Sequence, residues 1–346
     1  MGSALDENTI RAVDDWRKIL SGSVVSAGHL ERSTGVPADL VQPVIDRYPM
    51  RINPYFLSLI HTPNDPIGRQ VIPDPAELEE KGASKEVYTD DPFCEEARSP
   101  VGSLVHRHPD RVLFLVSGFC AVYCRHCMRK RNAGRKSAVN IDAVRRAIDY
   151  IGKAGQVREV ILSGGDPLLL RDAFLEEVLD RIAAIPHVKR LRIHTRTPGV
   201  LPARITQRLV EILGRFSPLF INIQFNHPAE LTREASDACG MLADAGIVLG
   251  SQSVLLNGVN DDKDILAQLM EKLLSLRVRP YYLHHPDPVR GTAHFGVSLE
   301  RGIEIMRSLR ADLPGMAIPH YVVDLPGGRG KVPAEEVFRE CGRGKA

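Results

Sequence analysis

The stretch "GFCAVYCRHCMRKR" puts Cys120, Cys124 and Cys127 in a C-x3-C-x2-C spacing, with Arg129, Lys130 and Arg131 close behind. Thiols that close are metal ligands in the first instance, and the question is which metal. A closed structural zinc site needs four ligands, commonly from two paired knuckles. The chain has no second C-x2-C, and Cys94, Cys239 and Cys341 stand singly. Bacterial ferredoxin clusters use C-x2-C-x2-C with a further cysteine, a different spacing. Three thiolates on one loop can instead hold a [4Fe–4S] cluster and leave one iron open to another ligand. His126 is a further candidate ligand, since imidazole often serves. Cysteines that merely pack are the plain alternative, and the spacing argues against it.

The elements that must position such a loop follow from the texture of the chain. From about residue 110, apolar runs such as "RVLFLVS", "REVILSGG", "RLRIHT", "LFINIQF", "IVLGSQSV" and "RPYYLHH" alternate with amphipathic helical segments. Strands alternating with helices imply βαβ units and a parallel sheet. Six such units suit a doubly wound sheet or a partial barrel, and in both the chemistry gathers at the carboxyl ends of the strands. The polar residues obey that rule. After the cysteine loop come Ser163, Gly164, Gly165 and Asp166 behind the second run, then His194 and Arg196, then Asn226 and His227. Gln252 belongs to the fifth run, and Tyr281, Tyr282, His284 and Asp287 to the sixth. Residues 1–105 read as helical and loop-rich, as in "LDENTIRAVDDWRKIL", with an irregular Pro/Asp/Gly-dense stretch at "HTPNDPIGRQVIPDPAELEEKG". The expected α/β architecture is a partial (βα)6 TIM-like barrel over 106–310, a helical N-terminal region over 1–105 and a short C-terminal segment over 311–346.

Composition narrows the function class. The 346 residues are 43% hydrophobic and 25% charged with a net charge of +2, which suits a globular chain with a large core. Near-neutral balance gives no reason to expect a nucleic-acid or membrane partner. No apolar run approaches a membrane span and no N-terminal stretch has a signal peptide's apolar centre, so a cytoplasmic location is expected. Six cysteines are too few for a disulfide scaffold.

A C-x3-C-x2-C loop after the first strand of such a pattern is the signature of radical S-adenosylmethionine (radical SAM) enzymes. The resemblance goes further. "HRHPDRVLFLVSGFCAVYCRHCMRKRNAG", "VILSGGDPLLL", "LRIHTRTPGVLPARIT", "GSQSVLLNGVND", "RPYYLHHPD" and "VVDLPGGRGK" all resemble the lysine 2,3-aminomutase family, over roughly residues 50–335.

That resemblance implies a cofactor set and roles for named residues. Cys120, Cys124 and Cys127 would hold the [4Fe–4S] cluster, with S-adenosylmethionine on its open iron. Ser163, Gly164, Gly165 and Asp166 resemble the strand-end motif for the methionyl amino group, and His194 and His227 are assigned to the same ligand. A lone "SGGD" would read as a plain turn. Lys331 resembles the lysine that carries pyridoxal 5′-phosphate (PLP) as a Schiff base, although a lysine in a Gly-rich loop is more often solvated. Arg107 and Arg111 match positions near the PLP phosphate, for which guanidinium forks are suited, and Gln252 resembles a polar partner of the cofactor. Arg129 matches the residue that pairs the substrate α-carboxylate. Lys130 and Arg131 read as a solvated basic turn. Asp287 and Asp324 match the two carboxylates that hold a lysine ε-ammonium; two buried acids repel unless a cation lies between them.

The implied activity is an isomerase reaction, L-lysine to β-lysine, by 1,2-amino migration initiated by a 5′-deoxyadenosyl radical. A small-molecule amino acid substrate and a one-electron reductant such as flavodoxin or ferredoxin are the implied partners. Larger relatives bind zinc through a cysteine-rich C-terminal extension; with only Cys341 in "VFRECGRGKA", zinc is not expected. A homo-oligomer is expected, its arrangement open. Rival readings are an arginine or ornithine mutase, the branch that makes β-lysine for elongation factor P, and, from another class, an Fe–S electron-transfer protein. The last has no use for Lys331 or the acidic pair.

Overall fold

The computed structural model describes residues 16–79, 88–134, 141–325 and 330–343. The first part of the expected N-terminal helix, the Pro326–Arg329 part of the Gly-rich loop and the Cys341 side chain lie outside the described residues. Nine strands form one sheet in chain order, β1 Leu104–His108, β2 Arg111–Ser117, β3 Glu159–Gly164, β4 Arg190–Thr195, β5 Leu219–Ile223, β6 Val248–Val254, β7 Arg279–His284, β8 His320–Leu325 and β9 Gly330–Pro333. β2 to β8 are parallel, and an antiparallel strand closes each edge. The expected partial barrel is thus present, with β8 as a seventh parallel strand inside the stretch assigned to the C-terminal segment. Arg107 on β1 reaches across to Asp324 on β8 at 2.9 Å, so side chains bridge the two edges of the curled sheet.

The two-residue period of a strand sorts its side chains between faces. Val112, Phe114 and Val116 on β2, Val160 and Leu162 on β3, and Leu191 and Ile193 on β4 enter the core shared with the outer helices. Leu113, Ile161, Arg192, His194, Gln252 and Tyr282 alternate with such residues and line the concave face. The helices follow the same logic at their own period: Leu266, Leu269 and Leu273 of helix Lys263–Ser275 are buried on one stripe. Each fully buried leucine contributes roughly 1.5–3 kcal/mol. Apolar burial holds the sheet, which leaves its concave face free for polar groups.

The N-terminal region caps the rim. Its core of Val24, Leu30, Val41, Ile52, Phe56 and Val71 continues into Ala121 and Val122 of the cysteine loop and Val200 and Leu201 after β4. Asn53 donates to the carbonyls of Ala121 at 3.3 Å and Val200 at 2.8 Å. Tyr123 N donates to Arg51 O and Arg125 N to Gln70 O. The cysteine loop is therefore fastened from above as well as from β2. Among the described residues no helix is long and apolar enough to cross a membrane.

Candidate active site

From the carboxyl ends of the parallel strands down the concave face, as far as Arg111 and Glu159 at the starts of β2 and β3, runs a cavity of about 620 Å³, within the usual range for small-molecule sites. Cys120, Cys124 and Cys127 line one end of it, and Arg107, Arg111, Asp324 and Lys331 the other. Arg129, Ser163, Gly164, Gly165, Asp166, His194, Gln252 and Asp287 also line it. His227 does not: its Nδ1 accepts from Ala229 N at 3.2 Å and caps the turn Pro228–Glu230.

The three cysteines are partly exposed and line the same cavity. Burial, Asp166 and the other two thiols push the Cys120 thiol up, and burial with Cys124 does the same to Cys127. Three thiolates that penalise one another are the donor set a cationic iron centre relieves. Among the described residues no three His, Cys, Asp or Glu converge as a single metal ion would need. In a cluster each thiol takes its own iron, so convergence is not required. Arg196 places Nη1 2.7 Å from Cys124 Sγ, while its Nη2 holds Gln70 and Glu230. His126 Nε2 faces the side-chain amides of Gln224 and Asn226 at 3.2 Å. That ring lines the cavity with the cysteines, and its buried Nδ1 has no partner among the described residues.

The strand-end glycines have a concrete partner. Gly164 sits at φ +117°, and a Cβ there would lie 2.2 Å from Ser117 O; at Gly165 it would lie 2.4 Å from Phe119 O. The close approach they permit is of the end of β3 to the end of β2. Asp166 accepts hydrogen bonds from Leu168 N, Thr195 Oγ1, Arg196 N and Thr197 N. Its carboxylate thereby orders the loop that carries Arg196. His194, by contrast, keeps a buried Nε2 without a partner among the described residues, and burial holds its ring neutral.

The basic residues after the cysteines are not a solvated turn. Lys130 is 3% exposed and pairs with Glu77, which also takes the Arg125 guanidinium. Burial, opposed by Glu77, brings the Lys130 ammonium down to about 8. Arg131 pairs with Asp91 at 3.0 Å, and Arg129 meets Glu95 through two bonds of 2.9 and 2.6 Å. The acids Glu77, Asp91 and Glu95 went unrecognised in the sequence, where "DPAELEE" and "DDPFCEE" set against "RHCMRKR" was the available signal.

At the far end Lys331 donates to Asp324 at 3.1 Å, with its ammonium 5.8 Å from the Tyr282 ring centroid. Arg107 binds the other oxygen of Asp324 and the carbonyl of Leu325. Burial works against the Asp324 charge, but Lys331 and Arg107 win and hold its pKa low. Asp287 has the opposite fate. Burial and then Asp324 push it up to about 7, and among the described residues nothing donates a hydrogen bond to its carboxyl. His284 falls to about 3 through burial and the Lys331 charge, so this neutral ring faces the cavity between the two ends.

The comparisons with known proteins agree with this geometry. A family model described as the radical SAM superfamily matches residues 114–270. The L-lysine 2,3-aminomutase of Methanococcus maripaludis is 45% identical over 95% of this chain and 77% of its own. That of Clostridium subterminale is 44% identical over 92% and 77%. This chain belongs to the lysine 2,3-aminomutase family. The glutamate 2,3-aminomutase of Clostridioides difficile, 42% identical over 92% of this chain and 77% of its own, is a relative too. Among solved structures, SuiB of Streptococcus suis with its precursor peptide superposes with a TM-score of 0.50 at 12% identity, covering 69% of this chain and 52% of that one. It shares the fold. Membership makes this chain an isomerase of the radical SAM class, dependent on a [4Fe–4S] cluster and S-adenosylmethionine, and PLP fits the same enzyme class.

Proposed function

We propose that this chain converts L-lysine to β-lysine, and that the observation carrying this reading is the pair Asp287 and Asp324, which line the cavity within electrostatic reach of each other. In this reading Cys120, Cys124 and Cys127 hold the cluster, and Ser163, Gly164, Gly165 and His194 face the S-adenosylmethionine beside it. Asp166 supports that rim through the loop it orders, and His227 lies outside the cavity. Lys331 carries PLP, with Arg107, Arg111 and Gln252 around it. Bound, the cluster with S-adenosylmethionine supplies a hydrogen-abstracting radical, and PLP supplies the carrier for the migrating nitrogen.

The chain's own residues position the amino acid between two charged ends. Arg129 receives the α-carboxylate, for which a guanidinium edge is suited. Asp287 and Asp324 receive the ε-ammonium, which offsets the burial and the Asp324 repulsion that together keep Asp287 protonated. Because one hydrogen leaves the β-carbon and one returns at the α-carbon, the isomerisation consumes no net oxidant. The N-terminal cap keeps bulk water from the rim. The initiating electron comes from a flavodoxin or ferredoxin in the cytoplasm, and the working form is a homo-oligomer.

The test is anaerobic incubation of reconstituted protein with S-adenosylmethionine, dithionite and single amino acids, followed by amino-acid analysis. β-Lysine from lysine, with no β-amino product from glutamate, arginine or ornithine, is expected. Turnover of one of those three in place of lysine would remove the assignment.

A further inference from the structure

Glu95 lies on the irregular segment before β1 and lines the cavity beside Arg129. Arg129 donates from Nε to one Glu95 oxygen at 2.9 Å and from Nη2 to the other at 2.6 Å. Both side chains are nearly buried, at 12% and 10% exposure. Resting on the reading of Arg129 as receiver of the substrate α-carboxylate, we infer that Glu95 is the positioning residue that decides which edge of that guanidinium the substrate meets.

A guanidinium has five N–H groups in a planar fork. Glu95 occupies the side edge, Nε with one Nη2 hydrogen. The end edge, both Nη1 hydrogens and the second Nη2 hydrogen, remains for one further carboxylate. Glu95 is itself held. Arg131, two residues beyond Arg129, pairs with Asp91 at 3.0 Å and Glu96 at 3.4 Å and donates to Asp90 O at 2.6 Å. Thr89 bridges to Val289, close to Asp287. Arg129 and Arg131 thus clamp one segment, and through it the guanidinium plane is fixed relative to the cavity.

The test titrates the cofactor absorbance of the holoenzyme, without reductant, with lysine and with 1,5-diaminopentane, which is lysine without the α-carboxylate. Glu95→Ala is expected to weaken lysine roughly ten- to hundredfold, the range for a hydrogen bond to a charged group, and to leave the diamine unchanged. Glu95→Gln, which keeps one acceptor, should recover part of the loss. In turnover the KM for lysine should rise more than kcat falls, and adding Glu95→Ala to Arg129→Ala should weaken lysine no further. Lysine bound as well as or more tightly by Glu95→Ala would overturn the inference, since Glu95 would then only compete for the fork. Equal weakening of lysine and diamine would overturn it as well, marking a general loss of structure. An Arg129→Ala variant that binds lysine like the parent would remove the carboxylate reading itself, and the inference with it.

Discussion

Replacing Asp287 by Asn is expected to weaken lysine binding strongly above pH 7 and much less near pH 5. The Asp287 carboxyl is pushed up to about 7, first by burial and then by the Asp324 charge, against the pull of Lys331 and Arg129. Ionising it with no added cation therefore costs roughly 4 kcal/mol more than ionising a carboxyl in water. An ε-ammonium beside it supplies that cation. With the pKa raised, the group is neutral below about 7 and offers lysine no charge, so its contribution to binding appears as pH rises through that value. Below it, binding must expel a proton, and the contribution falls about tenfold per pH unit. The assay is the cofactor-absorbance titration with lysine from pH 5 to 8, read as the ratio of variant to parent Kd, because the α-amine of lysine titrates in both. A desolvated ion pair broken on one side costs about 3–5 kcal/mol, so a ratio of several hundred or more is expected at pH 8. It should fall about a hundredfold by pH 5. Norleucine, of equal chain length and no side-chain charge, should give a ratio near one throughout. A ratio for lysine that does not change with pH would refute the reasoning.

Two further outcomes follow from the packing around the cysteines. Replacing Cys120, Cys124 or Cys127 by Ala should abolish iron binding and iron–sulfur absorbance, whereas Ala at Cys94 or Cys239 should keep both; iron lost from either of the latter would break the three-thiolate assignment. Glu77→Gln removes the one carboxylate that Arg125 and Lys130 share and leaves them only backbone carbonyls and a neutral amide, and should lower stability by about 3–5 kcal/mol in urea unfolding; a change below about 1 kcal/mol would mean that water reaches the pair.

What the sequence made legible was local. The runs "RVLFLVS" and "RLRIHT" coincide with β2 and β4 to the residue, because over six or seven positions buried residues alternate with cavity-facing ones at the two-residue period of a strand. β8 carries the same kind of run in "HYVVDL", but it adjoins the Gly-rich loop, and periodicity does not tell whether a last strand joins the sheet or leaves it. β1, with its two histidines and an arginine, has no apolar run to see. The cavity lining was legible for the same reason, since the carboxyl ends of the strands are fixed by topology. Asp166 was legible as a residue and not as a role: only the folded loop shows its oxygens committed to four donors. The acids that hold the cysteine loop were visible as acidic runs but not as its partners. Glu77 and Arg125 are 48 residues apart and Glu95 and Arg129 are 34 apart, separations over which no periodic pattern carries information.

Identity alone does not choose the substrate, since relatives named for lysine and for glutamate match this chain at 45% and 42%. The charges of the cavity do choose. With Glu95 on its side edge, Arg129, the proposed receiver of the α-carboxylate, has one guanidinium edge to offer. At the other end Lys331 and Arg107 are the cations paired with Asp324, and in the reading proposed above both are taken up by the cofactor, which leaves neither for a substrate acid. Asp287, with no donor to its carboxyl among the described residues and a pKa of about 7, is short of a cation. A glutamate side chain would bring a third carboxylate to Asp287 and Asp324, where each added like charge raises the cost of ionising the others. A lysine side chain brings the one group whose arrival lowers it. In this site a substrate that carries its own positive end completes the charge arrangement, and a substrate with a second negative end opposes it.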